Sequence, residues 1–179
     1  MGLFGWLRAF FEKDKRAVKQ QELPYVIPQQ PAINSRVLQS RGYRNKNPGN
    51  IDFNPRNKWI GQVGIEPAGN PPRFAVFESH EYGIRAIAML LQTYQDRHDL
   101  TTIRGIINRW APNNENNTNS YIRFVDDFLP NHAADDRINV HKYADARLLV
   151  EAIIRKELGG NPYSDAVIDE GLRRAGVVR

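Results

Sequence analysis

Glu157 is the carboxylate whose spacing best suits proton chemistry. It closes the run LLVEAIIRKELGG at residues 148–160, where Val150, Ile153 and Glu157 stand at i, i+3 and i+7. On an α-helix that spacing puts all three on one side, so the glutamate continues the apolar face. A carboxyl at the edge of a buried face is partly desolvated. Desolvation disfavours the charged form and makes the group a proton donor near neutral pH. The competing reading is a solvated glutamate beside Lys156 in a polar last turn. Other chemistries find little support. Cysteine is absent, which removes thiolate nucleophiles and disulfides. The four histidines (His80, His98, His132, His141) show no HExxH-like spacing, so no metal site is expected. No Gly-rich phosphate loop follows a predicted strand, no cofactor is implied, and no Ser-His-Asp set emerges from the spacing.

The elements that must position Glu157 read as follows. Asn47-Pro48-Gly49-Asn50 is a turn leading into Ile51-Asp52-Phe53, and residues 59–65 and 73–77 read as short strands around a Pro/Gly-rich loop. Ser79 then caps a helix with Ile84, Ile87, Ala88 and Leu91 on one face. A second helix carries Ile103, Ile106, Ile107 and Trp110, and Pro112 stops it. A third follows Thr118, with Tyr121, Phe124, Val125 and Phe128 on one side. The Glu157 helix comes next. Ser164 caps a last one, where Tyr163 and Ile168 occupy hydrophobic-staple positions. A small sheet of two or three strands followed by about five helices is an α+β class, mostly helical.

The 179 residues suit one domain plus an appendage, and 41% hydrophobic content supports a core. No apolar run approaches the roughly 18 residues of a membrane span. The net charge of +5 suits polyanions such as nucleic acid, anionic lipid or bacterial cell wall, without selecting among them. Residues 1–20 hold +3 of it (Arg8, Lys13, Lys15, Arg16 and Lys19 against Glu12 and Asp14). A nucleic-acid domain would spread its charge over the folded part, so no specific nucleic-acid recognition is expected. The same segment places Leu3, Trp6, Leu7, Phe10 and Phe11 near one helical face, with Phe4 beside them. That is an amphipathic helix for a membrane surface or a partner groove, or one docked on its own domain. It fits neither a signal peptide nor a myristoylation site. Residues 21–36, rich in Pro and Gln, read as a linker, with the compact domain at 37–179.

The turn NPGNI (47–51) with FAVFESHEYGIRAIAMLL (74–91) resembles phage virion proteins described as structural or cell-wall-degrading. The resemblance continues through RWAPNNENNT (109–118), Tyr121, AIIRKE (152–157) and PYSD (162–165), with Lys46 standing where the pattern has Asn. The same pieces, in another order, are similar to lysozyme-like glycosidases and lytic transglycosylases. There the acid-bearing helix comes first; here it would come last, as in a circular permutation.

That resemblance implies a lysozyme-like domain with Glu157 as general acid, cleaving the β-1,4 bond between N-acetylmuramic acid and N-acetylglucosamine in peptidoglycan. Asp52 is the candidate second carboxylate, against a turn-capping reading. Asn50 is a candidate for the sugar's N-acetyl group or a turn residue. Glu115 and Asn116, in the Asn-rich loop 113–119, would meet sugar hydroxyls or satisfy the loop backbone. Trp110 and Tyr121 would stack on sugar faces or belong to the core. Glu81 competes as acid, against a helix-dipole reading. The implied setting is the virion, acting in the bacterial cell wall or periplasm during genome entry. Residues 1–20 would hold the protein on a membrane or another virion protein. The alternatives are a non-catalytic virion structural protein and a membrane-docking adaptor.

Overall fold

The computed structural model describes residues 34–67, 71–113, 117–129 and 132–179. The sequence-predicted anchor residues Leu3, Phe4, Trp6, Leu7, Phe10 and Phe11 lie outside them, as do Glu115, Asn116 and nearly all of the 21–36 stretch.

Two single-turn helices come first. Asn34 caps α1 (Ser35–Leu38) by accepting from the Arg36 N–H, and Ser40 caps α2 (Arg41–Arg44) by accepting from the Tyr43 N–H. The sequence gives no periodic helix signal between the linker and Ser79. Four residues are too few to show a helical period, so the cap residues were the sole local signal. Strands β1 (Gln62–Ile65) and β2 (Ala75–Phe77) pair antiparallel, with Gln62 opposite Phe77 and Ile65 opposite Ala75. The ladder slips by one residue between Gln62 and Gly64. Both strands are shorter than expected. Trp59 starts a turn closed by the Gln62 N–H on its carbonyl (3.1 Å), and Phe74 forms only an isolated bridge, to Asp52.

Five helices follow: α3 (His80–His98), α4 (Ile103–Trp110), α5 (Thr118–Phe128), α6 (Tyr143–Leu158) and α7 (Asp165–Arg174). The fold is therefore α+β, mostly helical, with one small antiparallel sheet. Ile84, Ile87, Ala88 and Leu91 are buried on α3, as are Ile103, Ile106 and Ile107 on α4. The two predicted caps, Ser79 and Ser164, stand in N-cap positions but accept no side-chain capping bond, and Asn117 caps α5 by accepting from the Ser120 N–H. Thr118 is instead the first helical residue, fully buried, and its hydroxyl donates to the Ala111 carbonyl.

Helix α3 is the central rod, packed on α7, α4, α6 and β2. Its approach to α7 depends on Gly171, where a Cβ would come within 2.5 Å of the Ile84 side chain. Leu149, Ile153 and Ile154 carry the core into α6, and Ile168 and Leu172 carry it into α7. Gly159, at φ 74°, ends α6 in the left-handed conformation that glycine adopts without strain. No helix among the described residues is long and apolar enough to cross a membrane.

Candidate functional site

The apolar face of α6 delivers Glu157 as the period predicts. Val150 and Ile153 are fully buried, and one turn further on Glu157 is half-buried. Its carboxylate is held by three neutral donors from three other parts of the chain. Asn50 Nδ2 donates to Oε2 at 3.1 Å. Trp110 Nε1 and the Tyr121 hydroxyl donate to Oε1 at 3.2 and 3.0 Å. Glu157 takes part in none of the ion pairs described (Arg41–Glu66 and Arg147–Glu151 among them).

Each donor has a visible support. Asn47 is completely buried and bonds in three directions: its Oδ1 accepts from the Ile51 N–H, and its Nδ2 donates to the carbonyls of Ile51 and Ala75, all at 2.9 Å. These bonds fix the 47–50 turn to β2. Asn50 then sits at φ 47°, a left-handed conformation that asparagine tolerates better than most residues. A Cβ on Gly42 would lie 2.8 Å from Asn47 O, Asn50 Oδ1 and Leu158 Cδ2, so α2 can meet the turn and α6 only through a glycine. Trp110 ends α4 and Tyr121 lies in the first turn of α5; the Thr118–Ala111 bond ties those two helix ends together. Burial, and then the adjacent Glu157, push the Tyr121 hydroxyl well above its ordinary value. It therefore stays a proton-bearing donor across the working pH range.

Glu157 faces a cleft of about 620 Å³ lined by Asn50, Asp52, Asn54, Asn57, Arg73, Phe74, Leu90, Tyr94 and Trp110, among others. One wall is asparagine-rich loop; the other is the Leu90–Tyr94 face of α3 with the Trp110 indole. Such a two-sided cleft suits a ligand with hydroxyl-bearing edges and an apolar face.

The structure thus brings Glu157, Asn50 and Asp52 to one cleft, where Asp52 is engaged in an ion pair. It is exposed, and Arg73 grips both of its oxygens (2.6 and 3.1 Å). The Asp52 carboxylate thus stands in the cleft lining as one half of an exposed, two-point ion pair. Of the two readings of Tyr121, stacking platform or core, the ring follows the core one. Its ring is 3% exposed and lines no part of the cleft, because it lies on the core face of α5; only its hydroxyl reaches the site, through Glu157. Glu81 stands in the first turn of α3, away from the cleft lining.

Sequence reasoning missed Asn54, Asn57, Leu90 and Tyr94. Leu90 and Tyr94 stand at i, i+4 beside the core stripe of α3, a spacing that could have flagged a second lined face. It also missed Glu66, the one fully buried carboxylate among the described residues. Arg41 donates to both its oxygens (2.6 and 2.5 Å), Asn45 Nδ2 to one, and the N–H groups of Arg73 and Phe74 to the other. The Arg41 guanidinium outweighs the penalty of burial and, with the two backbone donors, holds this carboxyl at about 2.

No family model matches this chain. Protein P5 of Pseudoalteromonas phage PM2 is 36% identical over 134 residues, a match covering 74% of this chain and 79% of that protein. With that identity across most of both chains, the protein described here belongs to the family of the phage protein P5.

Proposed function

We propose that this chain is a virion-associated phage enzyme that cleaves peptidoglycan glycan strands, with Glu157 as its general acid and base. The observation that carries this reading is a half-buried glutamate facing a polar cleft, held by three neutral donors and by no cation. A carboxyl used only to build structure is commonly paired with a cation, as Glu66 and Glu151 are here. The lysozyme-like resemblance and the membership in a phage protein family point the same way.

The cleft supports a one-carboxylate reaction. A carboxylate offers about four acceptor sites. Oε1 already receives two donors and Oε2 only one, so Oε2 keeps the free position. In the acid form, Glu157 gives an Oε2 proton to the glycosidic oxygen as the bond to C1 breaks. The carboxylate then takes the proton of the sugar's own C6 hydroxyl, whose oxygen bonds to C1. The products are a 1,6-anhydro end and a free hydroxyl on the departing sugar, with Glu157 restored to its acid form. Water and a second carboxylate are not required, which agrees with Asp52 being occupied by Arg73.

Zymography on purified cell wall, with the wild type and Glu157→Gln, tests the assignment. The glutamine keeps the side chain's size and loses the transferable proton. We expect a loss of at least about a hundredfold. Activity unaffected by the substitution would sink the role of Glu157. Absence of activity in both proteins would favour a non-catalytic virion role or a membrane-docking one. Analysis of the product ends separates anhydro from free reducing sugar.

A further inference from the structure

Asn50 has a property that its place in a turn does not explain. Its Nδ2 serves Glu157 Oε2, while its Oδ1 is buried and has no hydrogen-bond partner. A buried amide oxygen without a donor is unusual in a folded protein. That oxygen points toward Gly42, where a Cβ would meet both Asn50 Oδ1 and the Asn47 carbonyl at 2.8 Å. The Asn47 carbonyl already accepts from the Asn50 N–H (3.0 Å), so Oδ1 is the acceptor left without a donor in that small space.

The three partners of Glu157 differ in what they can do when that carboxyl gains a proton. The indole of Trp110 can only donate, and it is committed to Oε1. The Tyr121 hydroxyl shares Oε1 with it. Asn50 alone touches Oε2, and a primary amide presents either a donor or an acceptor in nearly the same volume. Rotating the amide by half a turn would bring Oδ1 to Oε2, where it could accept from the resting carboxylic acid until that proton passes to the glycosidic oxygen. The same rotation would bring Nδ2 to the side that holds the Asn47 carbonyl.

We propose that Asn50 is a positioning residue whose amide reverses with the protonation state of Glu157, donating to the carboxylate and accepting from the acid. The orientation described here is that of the carboxylate form, which leaves Oδ1 without a donor. This rests on the reading of Glu157 as an acid and base, since only a group that passes through both forms needs a partner able to serve both. The left-handed backbone at Asn50 is then the means of aiming the amide at Oε2.

Two substitutions separate this role from that of a turn residue. Asn50→Gly keeps the φ of 47° without strain and removes the amide. Asn50→Asp keeps the shape but sets a second carboxyl against Oε2. On cell-wall glycan, we expect kcat of Asn50→Gly to fall about tenfold or more, the loss of one hydrogen bond to a charged group, with KM nearly unchanged. The pH profile of Asn50→Asp should move, because two coupled carboxyls share the site. A wild-type kcat and pH profile in Asn50→Gly would overturn the proposal and leave Asn50 as a turn residue.

A second measurement stands apart from turnover. In an NMR titration of the wild type, the Asn50 side-chain amide signals should shift with the midpoint of the Glu157 carboxyl, and should lose that transition in Glu157→Gln. Amide signals silent through the Glu157 titration would refute the reversal even in an active enzyme. Should Glu157→Gln retain activity, the function assigned to Glu157 fails, and the titration still decides whether Asn50 follows its proton.

Discussion

The donors around Glu157 are not interchangeable, and their differences determine what single substitutions should do. Tyr121→Phe removes one donor from Oε1, leaves Trp110 there and keeps the buried ring. We expect turnover of cell-wall glycan to fall about tenfold, with a loss of stability near 1 kcal/mol in denaturant unfolding. A stability loss of several kcal/mol with proportionate inactivation would instead mark the Tyr121 hydroxyl as a structural tie. At this scale the sequence was legible for Glu157, because a glutamate on an otherwise apolar helical face stands out against the period. For Tyr121 it left two readings open, core and sugar-stacking. Periodicity gives the face on which a side chain starts, not the atom its far end reaches, so a buried ring with a polar tip was indistinguishable from a stacking platform. Asp52 illustrates the same limit. Its position beside the turn was readable, whereas its capture by Arg73, 21 residues away, was not.

At the scale of elements, the site depends on how closely the 45–50 turn sits against α3 and α2. Gly83 in the first turn of α3 is the tightest point: a Cβ there would lie 2.0 Å from the Lys46 carbonyl oxygen and 2.8 Å from Pro48. Both obstacles belong to the turn itself, and neither is the free end of a flexible side chain. Gly83→Ala must therefore push the turn off the helix. We expect a stability loss of about 1–3 kcal/mol by chemical denaturation. Cleavage should weaken further than stability alone accounts for, since the displaced turn carries Asn50. A variant as stable and active as the wild type would show that the turn yields freely. The long helices were readable from their apolar repeats. The single-turn helices α1 and α2 were not, because four residues contain no repeat. The strands were overextended in the reading because Trp59 and Phe74 suit a strand by composition, while the local hydrogen bonds make a turn and a lone bridge.

For the whole molecule, the question is what joins the segments before the sheet to the helices after it. Asn50 and Glu157 are 107 residues apart in sequence, and no local pattern announces such a pairing. Glu66 performs a comparable joining with a charge. Arg41 of α2, Asn45 at the start of the turn and the backbone at Arg73 and Phe74 all converge on it. Folding must desolvate this carboxylate, and the bonds it gains offset that cost, so its contribution depends on pH. The carboxyl ionises at about 2 in the folded chain against an ordinary 4.5. As pH falls, the unfolded chain takes up the proton first. The stabilisation is therefore complete above about pH 4.5 and is lost as pH drops from there through 2. Glu66→Gln cannot carry the charge. Near neutral pH it should cost about 2–3 kcal/mol, the loss of a buried, charge-assisted set of bonds. In paired denaturation series, the gap between wild type and variant should hold steady from about pH 7 to 5 and narrow below that. A gap that stays constant down to about pH 2.5 would mean the variant suffers from altered packing rather than a missing charge. The exposed pairs at Glu170, with Arg173 and Arg174, titrate in the same acid range in both proteins and cancel in the difference. The narrowing gap therefore isolates the bond that fastens α2 and the turn, and through them Asn50, to the sheet.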